Sequence, residues 1–106
     1  MEELFKRVLG NNKDKAGIYK ITNINNQKVY IGKTTRLLDR WRTHAKRGCG
    51  IERIKGQLYD AMFAEGLENF TWEIVEICNK EDLTEKEKYW TTFYKSEEWG
   101  YNQRVG

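Results

Sequence analysis

Arg40 and His44 stand four residues apart in a stretch with helical periodicity, so a helix would stack a guanidinium and the chain's single imidazole on one face. A guanidinium presents a planar pair of donors that suits phosphate oxygens. Arg36, Thr43 and Arg47 fall on the same side of that helix, opposite Leu37, Leu38, Trp41 and Ala45. Tyr19 and Tyr30 lie in two short β-branched and aromatic segments, and in neighbouring strands their rings come close if the register allows. Glu87 sits at the border of the apolar stripe of a later helix, at about 100° per residue, whereas Glu85 falls on its solvent side.

What is missing narrows the chemistry. Cys49 and Cys78 lie 29 residues apart with no CxxC pair, which excludes a tetrahedral zinc site. Neither has a histidine at the spacing of a thiol nucleophile, and free thiols are expected rather than a disulfide. The net charge is only +3, but from Lys33 to Lys55 eight Lys/Arg face Asp39 and Glu52, a local excess of +6. From Glu65 to Glu98 the balance is −6. Such polarity predicts a basic face and a polyanionic partner, unless the two segments neutralise each other across the fold.

The elements that must carry these residues are legible. A chain of 106 residues, 39% of them apolar and fourteen of them aromatic, makes one small domain with a packed core. Residues 1–9 fit an amphipathic helix with Leu4, Phe5 and Val8 on one side, followed by a polar linker to Lys15. Segments 17–22 and 28–33, joined by a turn containing Asn23, Asn25 and Asn26, make a β-hairpin. Thr34 or Thr35 is positioned to cap a helix over 36–47, which Gly48-Cys49-Gly50 stops. A helix over about 51–64 has Ile51, Ile54, Leu58 and Met62 as its stripe, and Gly66 ends it. Residues 70–77 alternate as a third strand, and a helix over roughly 82–95 turns Leu83, Trp90, Phe93 and Tyr94 inward. Trp41, Trp72, Trp99 and Tyr101 are assigned to the core. The fold class is α/β (α+β): a small three-stranded antiparallel sheet with an N-terminal β-hairpin, flanked by helices. Residues 1–15 form an N-terminal helix and linker, and 16–106 the main domain.

Gly17-Ile18-Tyr19, then Tyr30-Ile31-Gly32-Lys33, Arg40-Trp41, His44, Glu87-Lys88-Tyr89-Trp90 and Gly100-Tyr101-Asn102 appear in order along the chain. Together they resemble the GIY-YIG nuclease domain over about residues 16–103, most closely the catalytic domain of phage and intron homing endonucleases. Homing-type members can place a second histidine shortly after the Gly-Cys that ends the first long helix. Gly50 stands there in this chain, so a two-histidine site is not expected.

The resemblance implies a DNA endonuclease that hydrolyses phosphodiesters without a covalent intermediate. A hairpin tyrosine would activate water, and one divalent ion, Mg²⁺ or Mn²⁺, would be held by Glu87. At pH 7 only about 0.1% of a free phenol is ionised, so Tyr19 or Tyr30 needs help from Lys33, Arg40 or the metal. Tyr19 is taken as the base and Tyr30 as the residue that orients water or phosphate, the reverse being the alternative. Arg40 is assigned to the phosphate in the transition state, and His44 to the phosphate or a tyrosine hydroxyl. Asn102 would fix Glu87 or the second tyrosine, or close a C-terminal turn. Arg36, Lys46 and Arg47 are the expected DNA-binding bases. One carboxylate holds Mg²⁺ weakly, so phosphate oxygens and waters must complete its shell.

The expected partner is DNA. No zinc finger, helix-turn-helix pattern or basic extension is visible, so either target choice comes from a separate DNA-targeting domain or partner protein, or the chain is a small free-standing nuclease with weak preference. No apolar run nears the roughly 18–20 residues that cross a bilayer. The start Met1-Glu2-Glu3-Leu4-Phe5-Lys6 lacks the apolar core of a signal peptide, which predicts a cytoplasmic protein with no membrane partner. The rival reading is a catalytically inactive nucleic-acid-binding or protein-interaction module on the same scaffold.

Overall fold

The computed structural model describes residues 1–103. Three strands, β1 (Gly17–Asn23), β2 (Val29–Thr34) and β3 (Phe70–Ile77), form an antiparallel sheet in the order β2-β1-β3. Five helices accompany it: α1 (Glu2–Leu9), α2 (Leu37–Cys49), α3 (Gln57–Glu65), α4 (Leu83–Tyr94) and the short α5 (Ser96–Trp99). The mixed architecture is the one expected, with β1 of the hairpin as its central strand and β2 at the edge.

Strand alternation sorts side chains into two layers. Tyr19, Ile21, Phe70 and Trp72 face α1, α2 and α3, where Phe5, Leu9, Leu37, Leu38, Trp41, Leu58 and Met62 complete the main core. Ile18 and Ile31 face α4 and pack against Leu83, with Val75, Trp90 and Tyr94 around them. Burial of aromatics on this scale, each worth a few kcal/mol, is what lets a chain this short hold one structure.

Turn chemistry sets the hairpin. The Asn23 side-chain oxygen accepts from the Asn25 N–H at 2.9 Å, and Gln27 takes a positive φ of 63°. The buried Asn23 amide donates to Glu65 and to the Tyr101 hydroxyl, both at 3.0 Å, tying the turn to the rest of the fold. Opposite Ile18 and Tyr19 the β1–β3 register shifts by one, from Ile18↔Glu76 to Tyr19↔Ile74, which leaves Val75 of β3 as the extra residue of a β-bulge. The Tyr19 ring crosses Gly32, where a Cβ would stand 2.3 Å from the phenol carbon and oxygen. Only glycine fits there.

Several details depart from expectation. Neither Thr34 nor Thr35 caps α2: the Thr34 hydroxyl accepts at 3.0 Å from the N–H of Arg36, the residue just before the helix, and reaches no N–H inside it. The linker does the capping, because the Leu37 and Leu38 N–H groups donate to the Lys15 and Lys13 carbonyls. The helix expected from residue 51 begins at Gln57; Ile51 is 76% exposed, and Ile54 is exposed too. Gly50, at φ 98°, ends α2, and Gly56 interrupts the apolar spacing at a cost no exposed stripe recovers. Arg53, paired with Asp60 at 2.8 Å, spans that loop. Val8 is exposed while Leu9 is buried with Phe5, a better-aligned i, i+4 pair. Phe93 lies outside, since α4 docks through Leu83, Trp90 and Tyr94, and Thr91 is buried in its stead. Trp99, on a four-residue helix with no layer above it, is exposed, whereas Tyr101 is buried.

Candidate active site

Sheet and helix meet at Tyr19. Its hydroxyl lies 2.5 Å from His44 Nε2, and both residues are fully buried. His44 was expected on the solvent side of α2. It instead lies at the edge of the stripe, where the wrap of α3 over α2 covers it. Its other nitrogen, Nδ1, lies 2.7 Å from the hydroxyl of Tyr59 on α3, and Arg47 donates to that same hydroxyl at 3.3 Å. Tyr59 carried no signal in the sequence, because its partner is fifteen residues away on another helix.

Burial dominates the electrostatics. It pushes the Tyr19 phenol well above its usual value, the Tyr30 charge adds to this, and the Arg40 guanidinium opposes it. Burial also raises Tyr30, again against Arg40, with Tyr59 and Glu87 pushing the same way as burial. Arg40 therefore stands beside both phenols. His44 is lowered to about 3, first by burial and then by Arg40 and Arg47, so its imidazole is neutral at physiological pH.

Tyr30 and Lys33 leave β2 on opposite faces of the sheet. Lys33 reaches α4, donating to the Thr84 hydroxyl at 3.0 Å and lying 4.0 Å from Glu87. Glu87 thus comes from the layer beyond the sheet. It approaches Tyr30 where β2 is the sheet's outer strand, near enough for its charge to act on that phenol. Burial raises the Glu87 carboxyl, and Lys33 partly offsets this. Four of the expected site residues, Tyr19, Tyr30, Arg40 and His44, cluster tightly, with Lys33 and Glu87 paired alongside.

Asn102 does something simpler than expected. Its side chain accepts from the Ile31 N–H and donates to the Ile31 carbonyl, both at 2.8 Å. It holds neither Glu87 nor a phenol; it clamps the backbone between Tyr30 and Gly32, because the C-terminal segment runs along the free side of β2. The Tyr101 N–H donates to the Val29 carbonyl in the same way.

The basic segment is partly neutralised from within. Arg36 pairs with Asp14 at 3.0 Å and Asp39 at 3.2 Å, and Arg42 pairs with Glu2 and Asp39. Among the described residues, Lys46, Arg47 and Lys55 have no carboxylate within 4.0 Å. Six residues on from Arg40, Lys46 lies about 120° around α2 from the phenol cluster.

Residues 15–102 match the model of the GIY-YIG catalytic domain. The chain belongs to the GIY-YIG family. Its domain is similar to the catalytic domain of the homing endonuclease I-TevI, with 28% identity and a TM-score of 0.74, over 86% of this chain and 100% of that one. A point-mutant form of the same catalytic domain, described as that of an intron endonuclease, matches at 28% identity and a TM-score of 0.75, over 87% of this chain and 96% of that one. Comparison with curated proteins gives no match. This GIY-YIG nuclease domain therefore has the scaffold of a homing endonuclease's catalytic part. Among the described residues no helix is long and apolar enough to cross a membrane.

Proposed function

We propose that this GIY-YIG domain is a DNA endonuclease that hydrolyses phosphodiesters with Tyr19 as the base. The observation that carries the reading is the Tyr19–His44 contact of 2.5 Å, beside Arg40. A phenol acts as a base only if something takes its proton and something stabilises its anion. Neutral His44 offers a lone pair for the first task, and Arg40 the positive charge for the second. Tyr30 is also beside Arg40 but has no such acceptor, which supports its role in orienting water or phosphate. In the DNA complex Arg40 would turn toward the phosphate, binding it with paired donors and opening a path to the Tyr19 hydroxyl.

Glu87 fits a hard divalent ion, because a half-buried carboxylate offers the oxygen donor that Mg²⁺ or Mn²⁺ takes. Among the described residues no cluster of three or more acidic, histidine or cysteine side chains exists, so the chain contributes one carboxylate and DNA must supply further oxygens. When bound, such an ion supplies Lewis-acid polarisation of the phosphate and stabilises the leaving oxygen. Lys33 would neutralise Glu87 in the absence of the ion. DNA is the partner, Lys46, Arg47 and Arg36 its backbone contacts, and a separate domain or protein the source of sequence choice.

The test is incubation of the purified chain with supercoiled plasmid, with Mg²⁺ or with EDTA. Nicks and ends should appear only with metal. Arg40→Ala and Glu87→Ala should each lose at least about 10²–10³ in rate while keeping the fold, in line with the loss of one preorganised electrostatic contact. Binding without any cleavage would instead favour the inactive nucleic-acid-binding module.

A further inference from the structure

Tyr19 and His44 are both fully buried, yet a basic phenol must release its proton to somewhere before it can take one from water. The hydrogen bonds trace one way out. From His44 Nδ1 the next atom is the Tyr59 hydroxyl at 2.7 Å. Tyr59, half-buried, lines an open cleft of about 280 Å³ together with Tyr30, Lys55 and Asn102. The imidazole is thus flanked on both sides by hydroxyls, each able to donate or accept, so both neutral tautomers are fully bonded.

We propose that Tyr59 is a positioning residue of the cleavage reaction, passing the Tyr19 hydroxyl proton from His44 to solvent. The proposal rests on the nuclease reading above. The Tyr19 O–H bond breaks and its proton goes to His44 Nε2. Nδ1 releases its proton to the Tyr59 oxygen, and the proton that Tyr59 carried leaves to water in the cleft. One proton is lost overall, from Tyr19; His44 and Tyr59 end neutral, with the imidazole in its other tautomer. Arg47 holds the Tyr59 hydroxyl at 3.3 Å, leaving its proton free to face the cleft. The charged and titratable groups around the relay are Arg40 and Arg47 from α2, Tyr19 from β1, Tyr30 from β2 and Tyr59 from α3. Both arginines disfavour an imidazolium, which keeps the relay a transfer through neutral histidine rather than a resting charge on it.

Tyr59→Phe removes the hydroxyl and keeps the ring that packs on His44 at 5.6 Å and Arg47 at 5.7 Å, so the fold is retained. Single-turnover plasmid cleavage at saturating protein should slow about 10- to 100-fold near pH 7, with DNA affinity unchanged. The deficit should shrink as pH rises, because hydroxide then takes the proton without the relay. An equal rate, or a deficit that does not vary with pH, overturns the proposal while leaving the nuclease reading intact. If the wild-type chain cuts no DNA, both fall together. A second readout needs no activity: His44 is the chain's single histidine, so its ring ¹⁵N resonances are unambiguous. Tyr59→Phe should shift them by changing the tautomer balance, and unchanged resonances also overturn the proposal.

Discussion

The Tyr19 hydroxyl and His44 Nε2 lie 2.5 Å apart in the interior, a short bond between two groups that are both uncharged in the resting protein. Burial raises the phenol's pKa and lowers the imidazole's, so the same desolvation keeps the proton on Tyr19 until Arg40 and the DNA change the balance. Two neutral groups in contact, not a pre-formed ion pair, are the starting state from which chemistry must begin.

The pH dependence of cleavage follows from that state. The base is active when deprotonated, and its pKa is raised, so the logarithm of the single-turnover rate should climb with pH and show no plateau below about pH 9. A break near the ordinary histidine pKa should be absent, because His44 is neutral down to about 3. A pH–rate profile with an inflection between about 6 and 7 would assign the titrating group to His44 instead.

Folding stability, unlike the cleavage rate, should carry the titration of His44. The unfolded chain binds a proton at His44 near 6.5 and the folded chain near 3, so the contribution is complete above 6.5 and lost as pH falls through that window. Urea unfolding should show about 2 kcal/mol less stability from this residue at pH 5 than at pH 7. His44→Gln should remove that portion of the pH dependence, measured as a smaller difference between the two curves.

Gly32→Ala tests the crossing of Tyr19 over β2. The added methyl would sit 2.3 Å from the phenol carbon and oxygen, in a packed interior where the ring has nowhere to swing. Overpacking of this kind costs about 1–3 kcal/mol. The melting temperature should fall and cleavage should be lost together, since the displaced hydroxyl leaves His44. A folded variant that cuts normally would show that the contact is dispensable.

Asn102→Ala should act through the strand. It removes two hydrogen bonds to Ile31, about 1–3 kcal/mol when backbone groups of a buried residue lose their partners. Tyr30 precedes Ile31, so the rate at saturating DNA should drop more than DNA affinity does. Comparison of rate and binding constants for the variant checks this, and equal losses in both would point to a DNA contact instead.

The hairpin, the α2 and α4 helices, β3 and the family positions were legible in the sequence because each rests on local pattern: strand alternation, helical spacing, asparagine turns and glycine stops. The stretch 51–56 misled because apolar residues at helical spacing are necessary for a helix but not sufficient. Gly56 and the left-handed Gly50 leave those residues between two helices, with no layer to cover Ile51. Phe93 and Trp99 misled for a related reason, since aromatic character does not say whether a neighbouring element arrives to bury it.

By itself the sequence determined the element order and the face of α2 that bears Arg40, consequences of periodic rules acting within a few residues, whereas the need for glycine at 32 came from the strand register that lays Tyr19 across it. The tertiary structure alone decided that His44 is buried and neutral, that Tyr59 is its second partner, that Asn102 clamps a backbone, and that Arg36 is paired with Asp14. Each of those depends on distances between elements far apart in the chain, and burial and charge are set by that packing rather than by local spacing.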